Sequence, residues 1–209
     1  MIRILIADDH SIVRRGLKEI LLEEFPDAYI KGVSDGMELL REARGGLWNI
    51  IISDLSMPGR NGLEVLKQLK EEFPVLPVLI LSMHPENQYA IRVLRAGAVG
   101  YLTKESASEE LVNAVKKIIS GKKYITPDVA EKLAEILESD SRLDLHETLS
   151  DREFDVLKMI ASGKTVSEIA YSLSLSVTTV STYRARILFK TKMKTNAELT
   201  HYAIENRLV

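Results

Sequence analysis

Between residues 3 and 121, short apolar runs rich in β-branched residues alternate with stretches whose apolar positions recur every three to four residues. The runs cover 4–7, 28–33, 48–53, 78–82 and 99–102, the second being the weakest. The helical stretches cover 12–24, 36–44, 62–73, 86–96 and 108–120; in the last, Ser106 and Glu109 have capping-box spacing. Five β-α units in succession predict an α/β, doubly wound, five-stranded parallel sheet with helices on both faces. Ligands of such a sheet sit at the carboxyl ends of its strands.

Beyond Gly121 the period changes. Thr126-Pro127 reads as an N-cap with proline at the first helical position, opening a helix over about 127–138. The polar stretch 138–147 has no period and reads as linker. Three more capping boxes follow, Ser150/Glu153, Thr165/Glu168 and Thr195/Glu198, and Ser176 caps a further helix without the glutamate. Together they predict a small all-α domain of four helices over 151–162, 166–173, 177–190 and 196–206. Its core falls on Val156, Leu157, Ile160, Ile169, Leu173, Val180, Ile187 and Leu188. Only Ser174, Leu175 and Ser176 separate the second helix from the third, which is helix-turn-helix spacing. The boundaries are thus 1–121 for the first domain, 122–147 for the linker and 148–209 for the second domain.

Length agrees, since 209 residues suit one mid-sized domain and one small one. Cys is 0, which excludes disulfides, Cys-zinc sites and thiol nucleophiles and suits a reducing compartment. No apolar run approaches the ~18 residues of a membrane helix, so a cytoplasmic protein without membrane contact is expected. Charge is unevenly spread: residues 148–209 carry 9 Lys/Arg against 6 Asp/Glu, a net +3, while the rest of the chain is net −5. A second domain that meets an anion fits that asymmetry.

The strand ends hold the candidate chemistry. Asp8 and Asp9 follow the first strand and Asp54 the third; in the order 2-1-3-4-5 these are neighbours. Ser82 ends the fourth strand and Lys104 follows the fifth. Three carboxylates on one edge repel and call for a cation, and oxygen-only ligands point to Mg²⁺. With its neighbours neutralised, one of them can act as a nucleophile. Aspartates also cap helices in such turns, but that role does not account for all five positions being filled in order. His10 reads as a capping or surface residue, because successive residues leaving a strand point apart. His84 is either loop or site rim.

The stretch Asp54-Leu-Ser-Met-Pro-Gly-Arg-Asn-Gly62, with these partners, resembles the phospho-acceptor loop of bacterial response-regulator receivers, over residues 2–121. The resemblance implies that Asp54 accepts phosphate from a histidine kinase and that Asp8, Asp9, Asp54 and the Ser56 backbone carbonyl hold Mg²⁺. It further implies that Lys104 pairs with phosphoryl oxygens, that Ser82 swings toward them, and that Tyr101 rotates inward as a switch. Interface packing at a strand end accounts for Tyr101 equally well. Lys104 precedes Glu105 where many members have a cis proline, which leaves that bond's geometry open.

Residues 148–209 resemble the LuxR-type helix-turn-helix of NarL/FixJ regulators, on Leu149 through Gly163 followed by Glu168-Ile-Ala, Leu173, Leu175-Ser and Thr179-Val. On helix 177–190, Thr178, Ser181, Thr182 and Ala185 share a face opposite the core, and their small side chains suit a major groove. Arg184, Arg186, Lys190, Lys192 and Lys194 make a basic edge suited to phosphates. Ser181 and Tyr183 depart from the family's commoner lysine and histidine. Helix 196–206 packs on its own domain or contacts a second copy.

The chain is thus expected to be a transcriptional response regulator rather than an enzyme, with a sensor histidine kinase and promoter DNA as partners and a homodimer as its active form. A Mg²⁺-dependent phosphohydrolase would need an acid where Ser56 stands. A dinucleotide-binding enzyme would need G-x-G-x-x-G where Ala7-Asp8-Asp9-His10 stands. A degenerate receiver would lack one of the five site residues.

Overall fold

The computed structural model of the chain describes residues 1–57, 62–138 and 145–209. These divide into two compact units, Met1–Glu135 and Ile136–Val209.

In the first unit, strands β1 (Arg3–Ala7), β2 (Tyr29–Val33), β3 (Ile50–Asp54), β4 (Val78–Ser82) and β5 (Gly100–Thr103) form one parallel sheet in the order β2-β1-β3-β4-β5. Helices α1 (Ser11–Glu24), α2 (Gly36–Gly45), α3 (Gly62–Glu72), α4 (Glu86–Arg95) and α5 (Ala107–Ile119) follow the strands. Strand position explains the sequence signal. β3 and β4 are buried at every residue and read as continuous apolar runs, whereas β2 lies at an edge, buries only Ile30 and Val33, and gives the weak run. On one face Ile4, Ile6, Ile52, Leu79 and Leu102 pack with Leu17 and Leu21 of α1 and Leu111, Val115 and Ile118 of α5.

Two expectations at the end of this unit change. Ser106 does not cap α5: it adopts helical dihedrals itself and bonds Thr103, whose Oγ1 accepts its N–H at 3.2 Å. Residues 122–135, read as the start of a linker, belong with the first unit. Tyr124 forms a parallel bridge with Gly100 on the open edge of β5, and a side chain at Gly100 would come within 2.9 Å of the Tyr124 carbonyl. Helix α6 (Pro127–Glu138) follows, with Val129 buried and Thr126 Oγ1 bonded to Glu86 Oε2 at 2.7 Å.

The second unit contains a 3-10 turn (Leu145–Thr148) and helices α7 (Asp151–Ala161), α8 (Val166–Leu173), α9 (Val177–Thr191) and α10 (Asn196–Glu205). Capping boxes form at Ser150/Glu153 and Thr165/Glu168. Thr195 caps α10, but the Glu198 carboxylate reaches the Lys194 N–H at 2.8 Å instead of closing the box. Of the expected core, Leu173 and Leu188 are half-buried and the other six positions are buried. Phe154, fully buried, was not among them and stacks on His146 with ring centroids 5.9 Å apart. His146 lies in the stretch read as linker, yet it is buried and its Nδ1 is 2.9 Å from the Tyr202 hydroxyl. Among the described residues, no helix is long and apolar enough to cross a membrane.

Candidate functional site

The parallel register sets Ala7 beside Ser53, so Asp8 and Asp54 leave the sheet side by side, 1% and 2% exposed. Lys104 continues the β4–β5 ladder, its N–H donating to the Ser82 carbonyl at 2.8 Å, and its ammonium lies 2.7 Å from both Asp8 Oδ2 and Asp54 Oδ2. Burial works against the ammonium and is the largest single influence, but the bonds and charges of Asp54 and Asp8 outweigh it and hold the amine above the usual lysine range. The aligned hydrogen bond from Lys104 goes to Asp54; among the described residues the buried Asp8 Oδ2 meets the same ammonium as an ion pair and has no aligned donor of its own. A buried carboxylate oxygen left that way, amid other hard oxygens, fits a divalent cation.

Asp9, Asp8, His10 and Asp54 each offer a ligand atom, all within 4.8 Å of one another. His10 is a surface residue, its side chain 65% exposed, but it turns toward the cluster rather than away from it, Nδ1 standing 2.8 Å from Asp9 Oδ1 and 3.3 Å from Asp8 Oδ1. The ladder ends with the Asp8 N–H, which donates to the Val33 carbonyl, and beyond it the His10 N–H folds back onto Asp8 Oδ1 at 2.8 Å. His10 occupies the N-cap position of α1 without capping it through its side chain.

The other rim runs along Ser56, Ser82, His84 and Tyr101. Ser56 N–H donates to Asp54 Oδ1 at 3.0 Å, and Ser56 Oγ is 3.2 Å from His84 Nε2. Fully buried Ser82 accepts the His84 N–H at 3.1 Å, while the Tyr101 hydroxyl donates to the His84 carbonyl at 2.7 Å. His84, open between loop and rim from sequence, is on the rim and stacks on Tyr89. Tyr101 is already inward, 2% exposed; burial above all raises its hydroxyl well past the ordinary tyrosine value. The loop is drawn closed at Gly62, whose N–H donates to the Leu55 carbonyl at 3.2 Å and whose missing Cβ would sit 2.3 Å from that oxygen. Pro58, Gly59, Arg60 and Asn61 of the motif lie outside the described residues. The Lys104–Glu105 bond is trans.

Both parts of the chain match known families. Residues 4–116 match the response regulator receiver domain family, and residues 147–203 match the bacterial regulatory proteins of the luxR family. The chain belongs to the response regulators. It is 35% identical to Response regulator UvrY of Escherichia coli over 210 residues, covering 100% of this chain and 96% of that protein. It is also 35% identical to Oxygen regulatory protein NreC of Staphylococcus carnosus, covering 99% of each. Among solved structures, RcsB from Salmonella enterica serovar Typhimurium, bound to promoter rprA in the presence of the phosphomimetic BeF3-, superimposes with a TM-score of 0.66 at 28% identity, covering 97% of this chain and 98% of that one. This response regulator combines the receiver with a LuxR-type helix-turn-helix.

In that helix-turn-helix, Ser174 turns the chain in the left-handed region (φ 53°) and the Ser176 hydroxyl caps α9 by accepting the Thr179 N–H at 3.0 Å. Thr178, Ser181, Thr182 and Ala185 are all exposed on α9, opposite buried Val180 and Ile187. The basic residues divide. Arg186, Lys192 and Lys194 are exposed and pair with no carboxylate among the described residues. Lys190 instead points inward to buried Glu153, Nζ to Oε2 2.7 Å, and Arg184 Nε donates to Asn196 Oδ1 at 2.6 Å. Sequence reasoning placed all five on one edge because it had no means of locating α7 and α10 beside α9. It also passed over Phe189, which is 85% exposed; its spacing of four from Ala185 was the available signal.

Proposed function

We propose that Asp54 accepts a phosphoryl group from the phosphohistidine of a partner sensor kinase, and that this modification controls promoter binding by α9. The observation that carries the reading is the buried Asp54 carboxylate beside Asp8, with the Lys104 ammonium 2.7 Å from both. An Asp54 oxygen forms a bond to phosphorus as the bond from phosphorus to the kinase imidazole breaks, and the departing imidazole takes up a proton. Asp8, Asp9, Asp54 and the Ser56 carbonyl would hold Mg²⁺, which when bound supplies positive charge against the carboxylates and phosphoryl oxygens. Lys104, already charged and positioned, then pairs with a phosphoryl oxygen.

An added phosphoryl group is a stronger acceptor than anything Ser82 now meets, so its hydroxyl turns toward it and the support under the His84 N–H is lost. Tyr101, holding the same residue from its carbonyl, registers the change as a population shift. Residues 1–121 serve as receiver and 148–209 as output domain, and 122–147 connect them, the part through Glu135 being packed with the receiver. A homodimer is the active species, working in the cytoplasm as a regulator rather than as an enzyme. RcsB relatives have been solved as a complex with DNA and as two dimers bound to two parallel DNAs, which supports DNA and a second copy as partners.

Thr178, Ser181, Thr182 and Ala185 read base edges, while Arg186, Lys192 and Lys194 hold phosphates. The test is intact mass of the wild type and Asp54→Asn after treatment with a small phosphodonor and Mg²⁺, followed by DNA retention at two salt concentrations. One phosphoryl group on the wild type alone, with altered retention, is expected. Phosphorylation of both proteins, or retention that ignores it, overturns the coupling.

A further inference from the structure

Phe189 lies nine positions beyond buried Val180, two and a half turns of helix at about 3.6 residues each, so it points directly away from the core of its unit. A single exposed aromatic is ordinary on a protein surface. This one continues a line: Thr178, Thr182, Ala185 and Phe189 follow each other at three- and four-residue spacing along the exposed side of α9. The line is polar at its start and apolar at its end. The Thr182 hydroxyl is spent on its own helix, donating to the Thr178 carbonyl at 3.0 Å, which leaves the γ-methyl of that side chain uncommitted. Ala185 offers a methyl and Phe189 a ring.

The surroundings specify what covers this strip. Exposed Arg186, Lys192 and Lys194 flank it and pair with no carboxylate among the described residues, so its complement is a polyanion that also presents apolar groups in a row. Duplex DNA does this in its major groove, where the thymine 5-methyl is the apolar feature and alanine, the threonine methyl and phenylalanine are its complements. From Thr182 to Phe189 the helix rises about 10 Å, roughly three base-pair steps.

We infer that Phe189, together with Ala185 and the Thr182 methyl, is a specificity-determining strip that selects thymines by their methyl groups at successive steps of the site. The inference rests on the reading of α9 as the groove helix. It predicts that the preferred half-site carries thymine opposite the C-terminal half of α9, on either strand.

The test uses the full-length chain, phosphodonor-treated, and duplexes enriched by the wild type from a randomised pool. Each thymine is replaced in turn by uracil, which deletes one methyl and nothing else. The wild type is expected to lose about fourfold in affinity at each methyl it covers. Phe189→Ala, a change at an exposed position that leaves the core intact, should erase that penalty at one position and keep it at those facing Ala185 and Thr182. If Phe189→Ala retains every methyl penalty, the inference falls while the groove reading stands. The same holds if its effect is confined to self-association in sedimentation. If the wild type enriches no sequence and Ser181→Ala changes nothing, both readings fall.

Discussion

Thr126, the capping residue of α6, donates its hydroxyl to Glu86 Oε2 at 2.7 Å, which ties the helix following the receiver sheet to the first turn of α4. Glu86 lies two residues beyond His84, whose N–H and carbonyl are held by Ser82 and Tyr101. A displacement of His84 therefore has a short covalent route to the residue that anchors α6. Thr126→Val removes this bond and the weaker one from the Val129 N–H at 3.4 Å while keeping the side-chain shape. A loss of about 1 kcal/mol is expected, confined to α6. Hydrogen exchange of the α6 amides should quicken about fivefold with the sheet unaffected; unchanged exchange would show that Val129 burial alone holds the helix.

Cation binding makes a separate prediction at the acid cluster. Mg²⁺ binds the folded cluster and not the dispersed carboxylates of the unfolded chain, so at 100 times its dissociation constant it should stabilise the receiver by about 2.7 kcal/mol. Asp8→Asn removes one anionic ligand at the position whose Oδ2 now lacks an aligned donor. That variant should lose most of the Mg²⁺-dependent rise in thermal midpoint, and chelation should then make no difference to it. A wild type indifferent to Mg²⁺ would contradict the ligand assignment.

The legibility of this chain follows physical lines. β3 and β4 were evident because strands buried on both faces leave unbroken apolar runs, and Asp54, Ser82 and Lys104 were evident because parallel topology forces strand ends together. The capping box at Ser106 failed because a competing local acceptor, Thr103 Oγ1, lies three residues back, and spacing alone does not rank competitors. His146 hid within a polar stretch because its burial depends on Phe154 and Tyr202, eight and fifty-six residues away. Lys190 looked like its basic neighbours until α7 was placed beside it.

Buried Glu153 makes the second unit acid-sensitive. Burial alone would raise its carboxyl, yet the Lys190 ammonium and the Ser150 N–H and hydroxyl together hold it below the usual glutamate value. A carboxylate depressed by folding contributes stability that is present above the unfolded value, near 4.3, and is lost as pH falls through the lower folded value. Glu153→Gln should therefore cost about 1.5–3 kcal/mol at pH 7, and the difference from wild type should shrink as pH falls through the acid range. Far-UV circular dichroism follows the helices, while Trp48, the sole tryptophan, reports only the first unit. A difference that persists undiminished at acid pH would mean that the lost carboxylate charge is not its source.

Lys190 and Lys192, two residues apart, should separate stability from DNA affinity. Lys190 holds Glu153, so Lys190→Ala should destabilise the second unit by about 1–3 kcal/mol, the cost of leaving a buried acceptor unpaired, with the salt slope of DNA binding little changed. Lys192 is exposed and ends α9 in the left-handed region, φ 58°, where a side chain crowds the following carbonyl and glycine does not. Glycine there gains in the folded state and gives back part of the gain through a freer unfolded chain. A net stabilisation of about 0.5–1 kcal/mol is expected for Lys192→Gly. If the lysine holds a phosphate, the same variant should bind DNA more weakly and lose about 0.9 from the slope of log affinity against log salt. Opposite signs for stability and affinity in one substitution would mean that a strained cap is retained for the charge it carries. A slope unchanged by Lys192→Gly would remove it from the phosphate contacts, leaving Arg186 and Lys194.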